Sequence, residues 1–397
     1  MASSGPFLLI KMNSQKPRIL ILSTSYLPLV GGSELAIKNI TDRIPDVEFD
    51  MVTGRFGQAP SREKIGNIEV FRVGGRFIQF SLFLPKVFLP CAIFFMAQRL
   101  MRQHRYALIH VFQASQAAGA AWPLKKIYPS VPVLLTLQEG KALNAQPWFI
   151  RTLRKHIIAV AEQITVISTY LARYARSITH VPVRLIPNGV DVRLFAEQAE
   201  QWRTRMRERL CGTSDEQLII SASRLVEKNG LRNLLSAVHE VMYERPNTRL
   251  VIIGDGPLRK ELEQQAQNLG IASKVLFIGT VAHEEIPRYL GAADVFVRPS
   301  LSEGLGTAFL EAMACRVPVV ASSVGGISDF ISNGDTGVVC DPTNIHSIAT
   351  GIKSLLGDPA YAKEIAKRAF ALVQERYDWD TIAATMKQVY MPFLKKI

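Results

Sequence analysis

The strongest constraint on the fold is a stretch of apolar runs and glycines between residues 294 and 321. Asp294 to Val297 predicts a buried strand, and a glycine-rich loop, 303–306, follows it. A helix is predicted to begin near Thr307, and Val317 to Ala321 predicts a second buried strand. Strands that alternate with helices are typical of a parallel sheet, so the sequence predicts an α/β fold.

The loop before this helix is suited to hold an anion. The first turn of a helix has backbone N–H groups without partners, and the helix dipole places partial positive charge there. Glycines before that turn let a diphosphate approach the backbone. Glu303 lies at the carboxyl end of a strand, where open α/β sheets bind ligands. Glu311 lies just over one turn inside the helix, where a carboxylate repels phosphate but can accept hydrogen bonds from paired hydroxyls such as those of a ribose. The pattern favours a sugar, a diphosphate and a nucleoside in a row, and an ordinary βαβ turn with solvated glutamates is the alternative.

Two cations follow an earlier predicted strand, Leu218 to Ala222. Arg224 suits bidentate contacts with phosphate oxygens and Lys228 a point contact, whereas the alternative is a plain surface loop. The next glycine loop begins at Gly254, and it is not a dinucleotide fingerprint because Arg259 stands where the third glycine should be. This disfavours a nucleotide-cofactor oxidoreductase.

The N-terminal part begins with the same order of strand, loop and helix. Arg18 to Ser23 predicts a strand, and Gly31 and Gly32 lie in the loop that follows. Ser33 is predicted to cap a helix that runs to about Arg43. Such a unit can bind a phosphate or a sugar, although a Gly-Gly pair alone is a weak signal.

These motifs resemble the retaining glycosyltransferases of family 4, the group 1 glycosyltransferases. The resemblance rests on the Glu-x7-Glu spacing of Glu303 and Glu311, on Gly304 and Gly306 between them, and on a preceding strand that ends in Pro299-Ser300. It implies the GT-B fold, in which two doubly wound α/β domains with Rossmann-like parallel sheets face a cleft. The resemblance is more specific in the C-terminal half than in the N-terminal half.

The resemblance also implies roles for single residues. Glu303 would face the donor sugar, and Arg224 and Lys228 would hold the diphosphate and neutralise the leaving group. Gln138 stands where family members often carry a His that hydrogen-bonds the donor sugar, which puts proton transfer at this position in doubt. The catalytic candidates are Glu303, Arg224 and Lys228, and the donor-binding candidates are Gly31, Gly32, Gln138, Gly254, Thr280, Gly304, Leu305, Gly306, Thr307 and Glu311.

The implied reaction transfers a sugar, with retention, from a UDP- or GDP-linked donor to an acceptor, by front-face attack with the leaving phosphate as base. No cofactor beyond the nucleotide-sugar co-substrate is expected. No metal is expected either, because two cations and a helix N-terminus would carry the diphosphate. An epimerase or phosphorylase on the same fold and an inactive GT-B scaffold stay open as alternatives.

Chain length and charge bear on the organisation. A chain of 397 residues predicts two domains. We place an acceptor domain at 17–187 and a nucleotide-sugar domain at 188–377, with a final helix in 378–397 that packs back on the first domain. The net charge of +13 lies in the N-terminal half, since residues 1–190 hold 23 Lys and Arg against 9 Asp and Glu. No nucleic-acid motif is present, so we expect contact with a membrane surface or a phosphorylated acceptor.

The run from Phe77 to Leu100 is the candidate membrane element. Spanning a bilayer takes roughly 20 uninterrupted apolar residues, and two prolines and a lysine interrupt this run. It is therefore either a core helix with a loop, or a segment in the membrane interface whose cations meet lipid headgroups. The cations concerned are Arg76, Lys86, Arg99, Arg102 and Arg105. The four cysteines form no C-x-x-C pair, so we expect a cytoplasmic protein, with peripheral attachment to the inner face of the cell membrane and a lipid-linked or cell-surface glycan acceptor left open.

Overall fold

The structure, a computed structural model, describes residues 16–74, 84–138, 148–213 and 215–395. Arg76 and the first part of the Phe77–Leu100 run lie outside the described residues. The strands are β1 Arg18–Leu22, β2 Glu48–Gly54, β3 Arg62–Ile65, β4 Ile68–Val73, β5 Leu108–Phe112, β6 Val133–Leu137, β7 Gln163–Val166, β8 Val183–Leu185, β9 Gln217–Ala222, β10 Thr248–Ile253, β11 Val275–Gly279, β12 Val295–Arg298, β13 Val319–Ser322 and β14 Val338–Cys340. The α-helices are α1 Gly32–Asp42, α2 Leu84–Gln103, α3 Ala121–Ile127, α4 Trp148–Ala159, α5 Thr169–Ile178, α6 Val192–Leu210, α7 Leu231–Glu244, α8 Arg259–Asn268, α9 Ile286–Ala292, α10 Thr307–Ala314, α11 Ile345–Gly357, α12 Pro359–Arg376 and α13 Trp379–Leu394.

The strands form two sheets, one in each half of the chain. The first has the order β3-β4-β2-β1-β5-β6-β7-β8, and the second has the order β11-β10-β9-β12-β13-β14. Only the edge strand β3 is antiparallel to its neighbour among the described pairings. In both sheets the strand order reverses direction beside the first strand of the domain, as in doubly wound folds. The predicted fold class, two doubly wound parallel-sheet domains, is confirmed.

Apolar runs without alternation explain why the strands are central. All five residues of β5 and all five residues of β6 are buried, as expected where helices cover both faces of a parallel sheet. The helices that cover the sheets are amphipathic. In α7, for example, Leu231, Leu234, Leu235, Val238 and Val241 recur at helical spacing and are all buried.

Two local predictions are wrong. Ser33 does not cap α1, because the cap position is Gly31 and Ser33 lies inside the first turn. Its hydroxyl donates to the neighbouring Glu34 carboxylate instead. The small-residue stretch from Ala114 to Ile127 predicts a single helix, but the structure has a 3₁₀ turn, Gln116–Ala120, followed by the short helix α3.

The helix α2 has one buried face and one exposed face in its described part, and the membrane-interface reading stays a prediction. One face packs into the core of the first domain through Leu89, Ile93, Ala97 and Leu100. The opposite face is exposed and is described below. None of the helices in the described part of the chain is long and apolar enough to cross a membrane.

The last helix, α13, returns to the first domain. Its apolar face packs against β1, α1 and β2 through residues such as Ile382 and Tyr390. The chain therefore crosses between the domains twice, and the two crossings lie side by side. The Val190 N–H donates to the Tyr377 carbonyl at 2.8 Å, and the Trp379 N–H donates to the Val190 carbonyl at 3.2 Å.

Candidate active site

A cavity of about 530 Å³ lies between the two domains at the carboxyl ends of the strands. It is next to β1 and β5 in the first sheet and β9 and β12 in the second, which are the points where the strand order reverses. Ligands bind at these positions in open α/β sheets. The predicted site residues that line it are Gly31, Gly32, Gln138, Arg224, Lys228, Glu303, Gly304, Leu305, Gly306 and Thr307.

The loop before α10 has the backbone geometry that an anion cradle needs. Gly306 is the cap residue of α10 and has φ 97°, which a residue with a side chain rarely adopts. A Cβ at this position would also lie 2.8 Å from the Phe309 ring. The first turn of α10, at Thr307 and Ala308, lines the cavity, so its unpaired N–H groups and the positive end of the helix dipole are at the cavity wall.

The Glu303 carboxylate is held by two cations and an amide. Arg298 Nη2 lies 3.0 Å from Oε2, and Lys228 Nζ lies 3.4 Å from both carboxylate oxygens. The Gly304 N–H donates to Oε1 at 3.0 Å. These contacts fix the position of the carboxylate at the cavity wall.

Sequence reasoning missed Arg298, which ends β12 and is buried beneath Glu303. Its guanidinium donates to Ser300 Oγ at 3.1 Å and lies 4.4 Å from the centre of the Phe309 ring. Burial lowers the pKa of Arg298, and the charges of Glu303 and Glu311 oppose this effect. An arginine next to the Pro-Ser pair was visible in the sequence, but only the fold shows that its side chain turns back under the loop.

Arg224 differs from Arg298 because its side chain is exposed and lines the cavity. No acidic side chain among the described residues pairs with it, so its guanidinium is available to an anionic ligand. The loop that carries it is fixed from behind, since Asn229 Nδ2 donates to the Arg224 carbonyl at 2.6 Å. Gly254 supports the same loop, because a Cβ there would lie 2.0 Å from the Ser223 carbonyl oxygen.

The N-terminal wall of the cavity carries hydroxyls, amides and one carboxylate. Glu34 is buried, and its oxygens accept from Ser25 Oγ at 2.5 Å and from Ser33 Oγ at 2.8 Å. No Lys or Arg among the described residues forms an ion pair with it. Gln113 lines the same wall, donates to Ser33 Oγ at 3.1 Å and has φ 67°, a conformation that non-glycine residues hold at a cost and mostly at functional sites.

Gln138 lies at the end of β6 on this wall and is buried. Asn188 Nδ2 lies 3.3 Å from Gln138 Oε1 and 3.3 Å from the Gly32 carbonyl oxygen. The asparagine of the Pro-Asn-Gly turn therefore connects Gln138 to the glycine loop. Asn-Gly after a proline predicts a turn at Asn188, but the sequence alone gives no sign of this contact.

Glu311 lies in a second, small cavity that adjoins the first. Gly32 and Thr307 line both cavities. His283 Nε2 lies 3.0 Å from Glu311 Oε1. Burial opposes protonation of His283, but the hydrogen bond and the charge of Glu311 outweigh it, so the pKa of His283 is raised.

Two predicted residues lie elsewhere. Gly254 and Thr280 do not line either of these cavities in the described part of the chain, and Thr280 is exposed just after β11. A contact across the cleft was not predicted. The Thr169 N–H, at the first turn of α5, donates to Asp329 Oδ2 of the second domain at 2.7 Å.

Family models match both halves of the chain. The model described as glycosyl transferases group 1 matches residues 203–371, and the model described as glycosyltransferase family 4 matches residues 30–194. A GDP-mannose-dependent α-(1-6)-phosphatidylinositol monomannoside mannosyltransferase of Mycobacterium tuberculosis is 31% identical over 287 residues, which are 68% of this chain and 73% of that protein. The chain belongs to the group 1 glycosyltransferases.

One further relative supports this assignment, and one solved structure shows the same fold. The protein of the same name in Mycolicibacterium smegmatis is 36% identical over 250 residues, 60% of this chain. The chain spans 64% of the length of that relative. Sucrose-phosphate synthase of Thermosynechococcus elongatus has a TM-score of 0.84 at 22% identity, covering 96% of this chain and 100% of that one, and it shows that the fold is shared.

Within this group 1 glycosyltransferase, the described residues contain no set of three or more His, Cys, Asp or Glu side chains placed to hold a metal ion. The positive groups at the cavity are instead side chains and a helix end. Arg224 and Lys228 lie on one side of the loop at 303–306, and the first turn of α10 lies at its end. Metal independence stays a prediction.

Proposed function

We propose that the chain transfers a sugar from a nucleotide-diphosphate sugar to an acceptor with retention of configuration. The observation that carries the proposal is the arrangement around Glu303. A fixed carboxylate lies between two cations and a helix N-terminus at one wall of the cleft, and the opposite wall carries Gly31 and Gly32. This arrangement suits a sugar bonded to a diphosphate better than any other class of ligand.

The proposed mechanism is mainly charge stabilisation. Arg224, Lys228 and the amides of the first turn of α10 would hold the diphosphate as it leaves and as the sugar becomes oxocarbenium-like. The Lys228 ammonium has three donors, so it can contact a phosphate oxygen and still contact Glu303. Glu303 would accept a hydrogen bond from the sugar, and the leaving phosphate would take the proton of the acceptor hydroxyl.

The relatives suggest which donor to test first. The two mannosyltransferases are named as GDP-mannose-dependent. We therefore propose GDP-mannose as the first donor to test. The residues around the diphosphate do not select a base, so UDP-sugars should be tested second.

Ligand-induced stabilisation tests the proposal. We would measure the unfolding temperature with UDP, GDP, ADP and their sugars, with no metal added. A ligand at about 100 times its Kd adds roughly 2.7 kcal/mol to the free energy of unfolding. We expect a shift with one nucleotide family and a much smaller shift in Arg224→Ala. The matched control is Arg193→Ala, because Arg193 is an exposed arginine that lines neither cavity and pairs with Glu197. A folded wild-type protein that no nucleotide stabilises would contradict the proposal.

A second measurement separates transfer from the alternatives on the same fold. Release of nucleoside diphosphate that depends on an added acceptor indicates a transferase. An epimerase would change the donor without releasing the nucleotide, and an inactive scaffold would do neither. A phosphorylase would consume inorganic phosphate and would show no preference for a glycoside acceptor.

We further propose that the acceptor is presented at an anionic membrane surface, through the outer face of α2 and the adjoining helix α3. Phe88 and Phe95 are 60% and 65% exposed on α2. Trp122 of α3 is also exposed, and the Lys126 ammonium lies 3.9 Å from its ring centre. The exposed cations on or just after these helices are Arg99, Arg102, Arg105 and Lys126. Exposed aromatics flanked by basic residues match the interface and headgroup layers of such a membrane.

Liposome flotation tests this second proposal. We expect wild-type protein to float with vesicles that contain phosphatidylglycerol and to detach as salt rises. The double variant F88S/F95S should not float, because its apolar contacts are lost. The control is Tyr243→Ser, which removes an 88% exposed aromatic from the second domain and should float like wild type. Failure of wild type to bind at low salt would contradict the proposal.

A further inference from the structure

The pair formed by Glu311 and His283 lies beside the cleft and has one open side. His283 precedes α9, and Glu311 lies in the second turn of α10, so the two side chains come from separate elements. Their hydrogen bond joins Nε2 and Oε1 at 3.0 Å. The second carboxylate oxygen, Oε2, has no hydrogen-bond partner among the described residues.

Glu311 lines a small cavity that adjoins the proposed donor site. Gly32 and Thr307 separate the two cavities and line both. Thr307 also begins the helix whose first turn would hold the diphosphate. A nucleotide whose diphosphate binds that turn therefore has its ribose within reach of Glu311. A carboxylate there can only accept hydrogen bonds, which suits the hydroxyls of a ribose.

His283 is placed to hold the carboxylate in this position. The Phe195 ring packs against the imidazole, with the ring centres 5.6 Å apart. Because ionised Glu311 can only accept, Nε2 of His283 carries the hydrogen. The other residues at this small cavity are Leu35, Gly189, Val190 and Trp379, none of which carries a charge. In the described part of the chain, no other residue donates a hydrogen bond to the Glu311 carboxylate.

We infer that His283 is a positioning residue that anchors one oxygen of Glu311 and leaves the other for a hydroxyl of the donor ribose. The inference rests on the proposed nucleotide-sugar function and adds a residue to it. It predicts that the enzyme distinguishes ribonucleotides from deoxyribonucleotides through Glu311, and that this discrimination depends on His283. A residue that only stabilised the fold would change the affinity for both ligands equally.

The test compares the Kd of GDP with that of 2′-deoxy-GDP and 3′-deoxy-GDP by calorimetry. UDP and its deoxy forms replace them if uridine nucleotides stabilise the protein. We expect wild type to bind the ribonucleotide at least tenfold more tightly than one deoxy form. Glu311→Gln should bring the ratio of the deoxyribonucleotide Kd to the ribonucleotide Kd close to one. His283→Met should lower it several-fold, whereas His283→Gln, which keeps an N–H donor near the position of Nε2, should restore most of it.

A matched pair elsewhere in the domain provides the control. His346 Nδ1 lies 2.9 Å from Glu240 Oε1 on the surface, away from the cleft. His346→Met should leave the ratio unchanged.

Two outcomes overturn the inference and can be told apart from failure of the proposed function. If the wild type binds the ribonucleotide and the deoxyribonucleotides equally well, the proposed function stands and the contact between Glu311 and the ribose is contradicted. A His283→Met protein that weakens both ligands by the same factor assigns the histidine to the fold alone. A folded wild type that binds no nucleotide contradicts the proposed function itself.

Discussion

The two walls of the cleft differ in the chemistry that they present. The C-terminal wall carries charge: Arg224, Lys228 and Arg298 surround the Glu303 carboxylate, and a helix begins beside them. The described part of the N-terminal wall carries hydroxyls and amides around Glu34, a buried carboxylate that only hydroxyls contact. The first wall suits a diphosphate, and the second suits a neutral, hydroxylated group. The cleft therefore has a cationic wall and a hydroxyl-lined wall, and the described part of the hydroxyl-lined wall carries one carboxylate and no cation.

The largest expected effect comes from removing the buried cation of the charged wall. Arg298→Met leaves the Glu303 carboxylate with one partner fewer in a buried site, and breaking such a pair costs about 3–5 kcal/mol of unfolding free energy. Urea denaturation measures the loss. Arg368→Met is the control, because Arg368 forms an exposed pair with Glu364 and should cost no more than about 1 kcal/mol. Equal losses in the two variants would show that Arg298 does not support the wall.

The exposed cation of the same wall should affect turnover and leave stability unchanged. Arg224→Ala and Glu303→Gln should each lower kcat about 10²-fold or more, the range seen when groups that stabilise a developing charge are removed. Initial rates of nucleoside diphosphate release measure the effect. Arg193→Ala again controls for loss of a surface arginine. Near wild-type turnover in a folded Arg224→Ala protein would contradict the role of this wall.

Stability at acid pH tests the support behind the hydroxyl-lined wall. His110, on the strand that leads to Gln113, is fully buried between Tyr390 and Thr136, at 2.8 and 2.7 Å. Burial lowers the pKa of His110 to about 3. Below pH 6.5 the unfolded chain therefore binds a proton at His110 that the folded protein does not. The free energy of unfolding therefore decreases as the pH is lowered.

The expected loss from this group is about 2–3 kcal/mol between pH 6.5 and pH 4.5. Urea denaturation across this range should show the loss in wild type and in His104→Gln, an exposed histidine control. His110→Gln cannot take up the proton, so its curve should be flatter by that amount. Identical pH slopes in wild type and His110→Gln would disprove the assignment.

The smallest expected effect comes from the hydroxyl-lined wall itself. Glu34→Gln keeps the shape of the side chain but replaces one accepting oxygen with a donating amide. We expect about a tenfold higher KM for the acceptor, or about 1.4 kcal/mol, with the Kd of the donor unchanged. Glu69→Gln, on an outer strand of the same domain, is the control. An equal loss of donor affinity would move Glu34 to the donor side and remove the contrast between the walls.

The sequence predicted the parts of the site that depend on local pattern. The apolar runs gave the central strands, and the loop at 303–306 gave the start of α10 at Thr307. Since the carboxyl ends of parallel strands meet at one edge of a sheet, Arg224 and Glu303 could be placed together from the strand pattern of the second domain. That Gly31 and Gln138 face them across the cleft followed only from the resemblance to the group 1 glycosyltransferases.

The sequence could not predict contacts between residues far apart in the chain. The Glu311–His283 hydrogen bond joins residues 28 positions apart, and the Asn188–Gln138 hydrogen bond joins residues 50 positions apart. The prediction at Ser33 was wrong because the Ser33 hydroxyl can either cap the helix or donate to the neighbouring Glu34 carboxylate. In the structure it donates to Glu34. The edge strand β3 is short and mostly polar, so it lacked the apolar pattern used to find the other strands.

The paired crossings of the chain determine how the two domains can move. One crossing passes through Val190 and the other through Tyr377 and Asp378, and backbone hydrogen bonds hold them together. Two adjacent chain segments joined by backbone hydrogen bonds resist twisting and sliding, so rotation of the domains about the line between these segments is the motion that costs least. The cleft would then open by a hinge rotation of the two domains about Val190. The Thr169–Asp329 hydrogen bond between the domains has to break for this opening. The rate at which it breaks would limit the rate of nucleoside diphosphate release.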